Sequence, residues 1–259
     1  MRKTVACLSV LVFCVAVFSQ DSRNLTPVQI EIEKQKQRLS STDVEERRDA
    51  LMKLASMRLS EASQAAVPAL HDSVPIVRAT AAKAVLSIGG DRSAALLLPL
   101  LNDKDEFVRR ETAYALGLTH SRAAIAALSE RLLKDKEDGV RGAAAVALGQ
   151  IGDEAGVVAL VGTLAPELSG GKRKREQNVF VLRAAASALG EIKSRAGTAA
   201  LISALGNEKL PSDVRREAAR SLGMIGDPSA VSALQAASNS SDPFLSQIAH
   251  NALRKLNHN

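Results

Sequence analysis

Fourteen residues, Val140 to Asp153, constrain this chain more than any other stretch, because they recur. The pair Val140-Arg141 opens an Ala-rich run that closes on Leu148-Gly149-Gln150-Ile151-Gly152-Asp153. With the arginine as a mark, equivalent positions are Arg47, Arg78, Arg109, Arg141, Arg183 and Arg215, with Ser246 as a degenerate seventh. The spacings are 31, 31, 32, 42, 32 and 31 residues. A period of that length, sustained almost to the C-terminus, points to an array of stacked units, none of which buries its apolar face alone.

Each period carries two helical patterns. The first is an Ala/Leu segment such as Ala123 to Leu133 or Ala196 to Leu205, and a turn rich in aspartate follows it (Asp43, Asp72, Asp103, Asp135, Asp213, Asp242). The second begins at the Val-Arg pair, with Val140, Ala144, Leu148 and Ile151 at helical spacing. Gly117, Gly149, Gly152, Gly190, Gly223 and Gly226 are expected to end these helices, since glycine takes the left-handed C-cap geometry without strain. Asp227-Pro228 marks a restart, an N-cap followed by proline in the first turn. Pro27 opens a helix over 27–39 whose Glu, Lys and Gln suit a water-facing end cap. Composition agrees: 46% of residues are hydrophobic but only 2% aromatic. The apolar content is therefore Ala, Leu and Val, which suits closely packed helices better than a sheet.

The repeated pattern D-x-x-x-(x)-V-R-x-x-A-A-x-A-L-G-x-I-G-D resembles the HEAT-repeat class, in the short form related to phycobilin lyases, over about residues 27 to 256. The resemblance implies an all-α, right-handed α-solenoid (armadillo-like helical) of about seven helix pairs. In such a fold the first helix of each pair lies on the convex side and the Val-Arg helix lines the concave side. Turn aspartates and helix arginines then form a ladder between neighbouring repeats, which competes with an anion-binding stripe as the role of the six arginines. Each has an acidic residue two to six positions upstream except Arg183, for which Glu176 is the nearest substitute. The class includes deoxyhypusine hydroxylases, whose di-iron site uses His-Glu pairs at helix starts. None of His71, His120, His250 and His258 stands beside a glutamate in that way. No metal ligand or cofactor site carries over, and no catalytic residue is identified. The phycobilin lyases act on a chromophore and an acceptor cysteine, and no residue here matches them beyond the repeat itself. P-loop, G-x-S-x-G, G-x-G-x-x-G and EF-hand patterns are missing.

Residues 1–19 read as a secretory signal peptide: Arg2 and Lys3, then an uncharged run from Thr4 to Phe18, with cleavage expected before Gln20. An uncleaved N-terminal membrane anchor is the alternative. Residues 20–259 then form the solenoid domain. Cys7 and Cys14 both fall in the leader, so a mature chain has no disulfides. Without Arg2 and Lys3 the net charge of +6 becomes +4, from 32 basic and 28 acidic residues, and four of those cations are the consecutive Lys172, Arg173, Lys174 and Arg175. The remainder is balanced, which argues against a nucleic-acid-binding surface.

Those four cations sit in an insertion, residues 165–178, that breaks the period where a ladder aspartate is due. It reads either as a solvated loop, because lengthening a loop costs little, or as a contact for an acidic partner or anionic surface. Concave positions are expected two, three and six residues after each Val-Arg valine. They place charge at the flanks (Arg48, Asp49, Lys83, Arg110, Glu111, Arg216, Glu217, Arg220) beside Tyr114, an anchor or a packing residue. A smooth apolar middle is expected from Gly142, Ala143, Val146, Ala184, Ala185 and Ala188. Partner contacts are assigned to Arg110, Tyr114, Arg216, Arg220 and the Lys172–Arg175 run.

Together these features lead to an expectation: a non-enzymatic scaffold, periplasmic or secreted, that binds a protein partner along its concave face. The alternative is an enzyme or enzyme accessory, oxidoreductase or lyase, of the hydroxylase and lyase repeat class, disfavoured by the missing His-Glu pairs. Limited trypsin digestion is expected to cut first within Lys172–Arg175 and to leave two fragments that co-elute on gel filtration. First cleavage elsewhere, or fragments that separate, contradicts the placement of that segment in a surface loop of one continuous stack.

Overall fold

The computed structural model describes residues 25–165 and 178–256. The proposed leader and the run Lys172–Arg175 lie outside the described residues. Among the described residues there are fourteen α-helices and no strand. One series comprises α1 (Pro27–Arg38), α3 (Ser60–Ala66), α5 (Gly90–Leu97), α7 (Ile125–Lys134), α9 (Val157–Leu164), α11 (Thr198–Gly206) and α13 (Val231–Ser238). It alternates with α2 (Val44–Ser56), α4 (Pro75–Ala84), α6 (Glu106–Leu118), α8 (Asp138–Ile151), α10 (Val179–Ile192), α12 (Ser212–Ile225) and α14 (Pro243–Leu256). The result is an α-solenoid of seven helix pairs. The even helices pack against one another along their length, whereas the odd ones touch their neighbours more sparsely. A stack crowded on one side curves toward that side, so the even helices form the inner, concave layer.

Local chemistry sets the element ends. Thr26 makes a full capping box with Gln29 at the start of α1. The carboxylate of Asp105 accepts the Phe107 and Val108 N–H groups at the start of α6. Ser121, Asp153, Ser194 and Asp227 each accept the N–H two residues on, opening a short 3-10 turn that leads into the next outer helix. Two outer helices, α3 and α5, turn into 3-10 segments at Val67–His71 and Leu98–Asn102, each with proline in its first turn (Pro68, Pro99). Proline has no N–H to continue the α-helical ladder.

The glycines divide into two groups, which corrects the expectation that all of them end helices. Gly152 and Gly226 do so, with φ of 73° and 74°. Gly117, Gly149, Gly190 and Gly223 instead lie inside inner helices. A Cβ at those four positions would stand 2.8, 2.9, 2.9 and 2.9 Å from the Cα of Ala147, Ala188, Ser221 and Ala252 on the next inner helix. These glycines let one helix backbone rest on the next. After α6 and α10 the left-handed position is taken by His120 (φ 51°) and Lys193 (φ 58°).

The ladder is present over the first three inner helices, where each arginine reaches forward to the next turn, whereas Arg141 pairs back with Asp138 of its own helix at 2.7 Å. Arg47 pairs with Asp72 (Nε–Oδ2 2.7 Å, Nη2–Oδ1 3.0 Å), Arg78 with Asp103 (2.7 and 2.8 Å) and Arg109 with Asp135 (2.9 and 3.0 Å). The Nη1 of Arg78 donates to the carbonyls of Asp72 and Ser73 in its own turn, and Arg47 and Arg109 repeat that geometry. Each aspartate also accepts the N–H two residues on, from Val74, Asp105 and Glu137. One guanidinium thus ties two successive turns together. Burial alone would push the carboxyls of Asp72, Asp103 and Asp135 up. The facing arginine and the backbone N–H outweigh it and hold all three below the ordinary carboxylate range.

Two positions depart from the expected register. Aligned on Gly149 and Gly190, the residue of α10 equivalent to Arg141 is the buried Leu182, and Arg183 stands one place on, exposed. In α12, Arg215 donates to the Leu205 carbonyl at the end of the preceding outer helix (3.0 Å), as the Ser246 hydroxyl does to Ser238 (2.6 Å). The bidentate pair to the next turn falls to Arg216, on Asp242 at 2.9 and 3.0 Å.

Arg109→Ala leaves the buried Asp135 carboxylate without its main counter-charge and is expected to cost about 3–5 kcal/mol in urea unfolding. Arg216→Ala, at a more exposed pair, costs clearly less. In the unfolded chain the ladder carboxyls titrate near 3.8, and in the folded chain lower. Unfolding therefore takes up protons in that range. The ladder contribution is complete above about pH 5 and is lost as pH falls through 3.8 toward the folded values. A melting temperature flat between pH 6 and pH 3 contradicts this.

Candidate functional site

The inner face is the surface that the repeat leaves open, and its chemistry changes along its length. In the N-terminal half, a groove of about 480 Å³ is lined by Arg48, Met52, Lys83, Phe107 and Glu111 among others. Two of its cations are matched locally. Lys83 Nζ lies 2.7 Å from Glu111, and Arg48 Nη1 lies 2.6 and 2.8 Å from the Glu45 carboxylate oxygens. The expected contact residue Arg110 lies 3.5 Å from Glu111 and over the Phe107 ring, 5.0 Å from its centroid. Tyr114 is half-buried and packs on the core, the packing role rather than the free anchor.

The expected apolar middle is corrected. Gly142, Ala143, Ala184, Ala185 and Ala188 are buried rather than exposed to a groove, and Val146 is half-buried. Phe180 lies over Gly142 so closely that a Cβ there would stand 2.0 Å from the ring. What the middle presents instead is Val179 and Phe180, 40% and 37% exposed, residues that the sequence reading missed. The one-residue shift in α10 explains much of the error, because it moved Arg183 onto the surface and Ala184, Ala185 and Ala188 under it.

At the C-terminal end the inner face opens into a groove of about 950 Å³ between α12 and α14. Gly223, Met224, Ile248 and Ala252 form an apolar floor, and Lys193, Arg220, Arg254 and Lys255 stand around it. A smaller recess of about 280 Å³ joins it, where Arg183 and Arg216 face Asp213 and Glu217. Of the expected contact residues, Arg220 is exposed here and pairs with Glu217 at 3.3 Å. Arg216 is committed to Asp242, lies 3.2 Å from Asp213, and sits over the Phe244 ring at 5.1 Å. Lys193, Arg254 and Lys255 had no periodic signature to announce them. Lys172, Arg173, Lys174 and Arg175 lie outside the described residues.

Among the described residues, Glu191 is the one carboxyl held above its ordinary range. Burial pushes it up, a Ser187 hydroxyl at 3.4 Å partly offsets this, and the charge of Glu217 adds to the rise. Its side chain lies over Gly149 on the neighbouring inner helix. Among the described residues no group of three or more His, Cys, Asp or Glu side chains is placed to hold a metal ion.

A family model described as HEAT repeats matches residues 32–117, 96–168 and 173–254. No curated protein sequence matches the chain. Among solved structures, the Escherichia coli protein YibA is 21% identical with a TM-score of 0.61, over 89% of this chain and 82% of that one. The complex of CpcE and CpcF of phycocyanin lyase from Nostoc sp. PCC7120 is 25% identical with a TM-score of 0.50, over 89% of this chain and 87% of that one. Human deoxyhypusine hydroxylase is 19% identical with a TM-score of 0.45, over 88% and 96%, too distant in structure to carry chemistry across. The likeness to chains of a lyase overturns the expectation of a non-enzymatic envelope scaffold, for which nothing here speaks. That expectation leaned on missing catalytic motifs in one chain, and such an absence says little about an enzyme assembled from more than one.

Proposed function

Because the chain belongs to the HEAT-repeat family, we propose that it is a component of an enzyme of the lyase kind, working as one chain of a complex whose protein partner or protein substrate seats on the inner face. The observation that supports this most is the match to the CpcE–CpcF complex over nearly the full length of both chains. The geometry is compatible with the role. Repeat proteins act through extended surfaces, and this one presents open grooves at both ends of its inner layer. The proton-transfer role is assigned to Glu191, which is exposed on the inner layer with its side chain over Gly149 and its carboxyl held above the ordinary range. By analogy with phycocyanin lyase, the reaction makes or breaks the link between a protein and a small chromophore-like group, and phycocyanin is the first substrate to try.

The tagged chain, isolated from its own cells near physiological salt, is expected to elute with a second protein in constant ratio. That complex is expected to change the visible absorption of phycocyanin, or of its apoprotein with free chromophore. Glu191→Gln should lower the rate by roughly 100-fold and leave the complex intact. A chain that elutes alone, with pigment spectra untouched in the presence of extract, contradicts the proposal.

A further inference from the structure

The C-terminal groove differs from the rest of the inner face in one respect that bears on what it binds. Among the described residues lining the N-terminal groove, Lys83 and Arg48 each have a carboxylate beside them, Glu111 and Glu45, and Arg58 is the one cation with no ion pair. Around the groove between α12 and α14 stand Lys193, Arg220, Arg254 and Lys255, with no carboxylate among the described residues that line it. Arg220 alone reaches one, Glu217, at the edge. All four cations are exposed, so their charge meets whatever enters. Lys193 holds its place in the left-handed conformation that Gly152 and Gly226 occupy in neighbouring repeats. A cation stands where glycine is the unstrained choice. Arg254 is oriented by Asn251, whose side-chain oxygen accepts from its Nη2. Beneath the cations the half-buried Met224 and Ile248 give an apolar strip. Methionine, flexible and polarisable, suits a surface that adapts to a partner side chain.

We infer that this groove is the docking site for an acidic amphipathic helical segment of a partner protein. The segment's apolar residues lie on Met224 and Ile248, and its carboxylates meet Lys193, Arg220, Arg254 and Lys255. Charge complementarity selects this occupant: a floor that takes apolar side chains at helical spacing, inside a rim of one sign, matches a helix with an apolar stripe flanked by glutamates. The groove is open and its lining runs along about one turn of α12 and two turns of α14, which fits a laid-in helix better than an enclosed small molecule. The inference rests on the proposed role as one chain of a complex, and it names where and by what chemistry the other protein is held.

The test uses the full chain and a fluorescein-labelled 16-residue peptide, about 24 Å long as a helix and so able to overspan the groove, with leucines at i, i+3, i+4 and i+7 spacing and glutamates elsewhere. Fluorescence anisotropy is expected to show saturable binding that weakens as salt is raised from 50 to 300 mM. Arg220→Ser with Arg254→Ser should weaken it at least about tenfold without lowering the melting temperature, both side chains being exposed. Lys34→Ser with Lys53→Ser, at the other end of the solenoid, should leave it unchanged. Equal binding of a scrambled peptide that has lost the leucine stripe, or no effect of the Arg220 and Arg254 changes, overturns the inference. Tighter binding of a single-stranded oligonucleotide of equal charge also overturns it, as does self-association of the chain through this groove. Peptide binding is read on the purified chain without any enzymatic partner, so its failure is separable from the failure of the native complex to form or to act on pigment.

Discussion

Everything in this molecule depends on how closely one inner helix can rest on the next. Gly117, Gly149, Gly190 and Gly223 bring their backbones to within van der Waals contact of Ala147, Ala188, Ser221 and Ala252, and a methyl group at any of the four positions would collide with the Cα opposite. The even helices are therefore crowded while the odd helices spread, which gives the layer its concave side and leaves that side as an unbroken surface. The near absence of large aromatic residues follows from the same constraint, because bulk between the inner helices would push them apart.

On that frame the arginine ladder does a second task. Arg47, Arg78 and Arg109 bind the turn of their own repeat through carbonyls and the turn of the next through a carboxylate. They fix the rotation of each repeat on its neighbour, where apolar packing alone is forgiving. The ladder changes form from α8 onward, where Arg141 pairs back with Asp138 of its own helix. Leu182 takes the arginine position in α10, and Arg216 replaces Arg215 as the bridging residue in α12. Arg183 consequently faces the inner surface rather than the inter-repeat seam, and joins Arg220 on its C-terminal part.

The solenoid, its seven pairs and the side on which the Val-Arg helices lie were legible in the sequence, because a period sustained over seven copies is a strong signal. The register within α10 was not. Aligning on arginine accepted Arg183 as the equivalent of Arg141; aligning on the Leu-Gly pairs at 148–149, 189–190 and 222–223 would have placed Leu182 there and Arg183 on the surface. Glycine was the safer mark, since a backbone contact tolerates no other residue, whereas a salt bridge can move to the next position, as Arg216 shows. Of the candidate contact residues, Arg220 lines the C-terminal groove and pairs with Glu217, while Arg110 and Arg216 are engaged by their neighbours. Lys193, Arg254 and Lys255 were hidden because they come together only through the packing of α10, α12 and α14.

The functional expectation failed for a related reason: it treated the chain as self-sufficient. A surface built from repeats, with open grooves at both ends of its inner layer, suits one chain of a larger assembly. The claim that the inner face is where the other component sits can be tested by placing a photo-crosslinking residue at Ser187 on the inner layer or at Val158 on the outer layer, then irradiating living cells. The account predicts a discrete adduct with one other protein from position 187 and none from position 158. Adducts from 158 alone, or the same set from both, would contradict it.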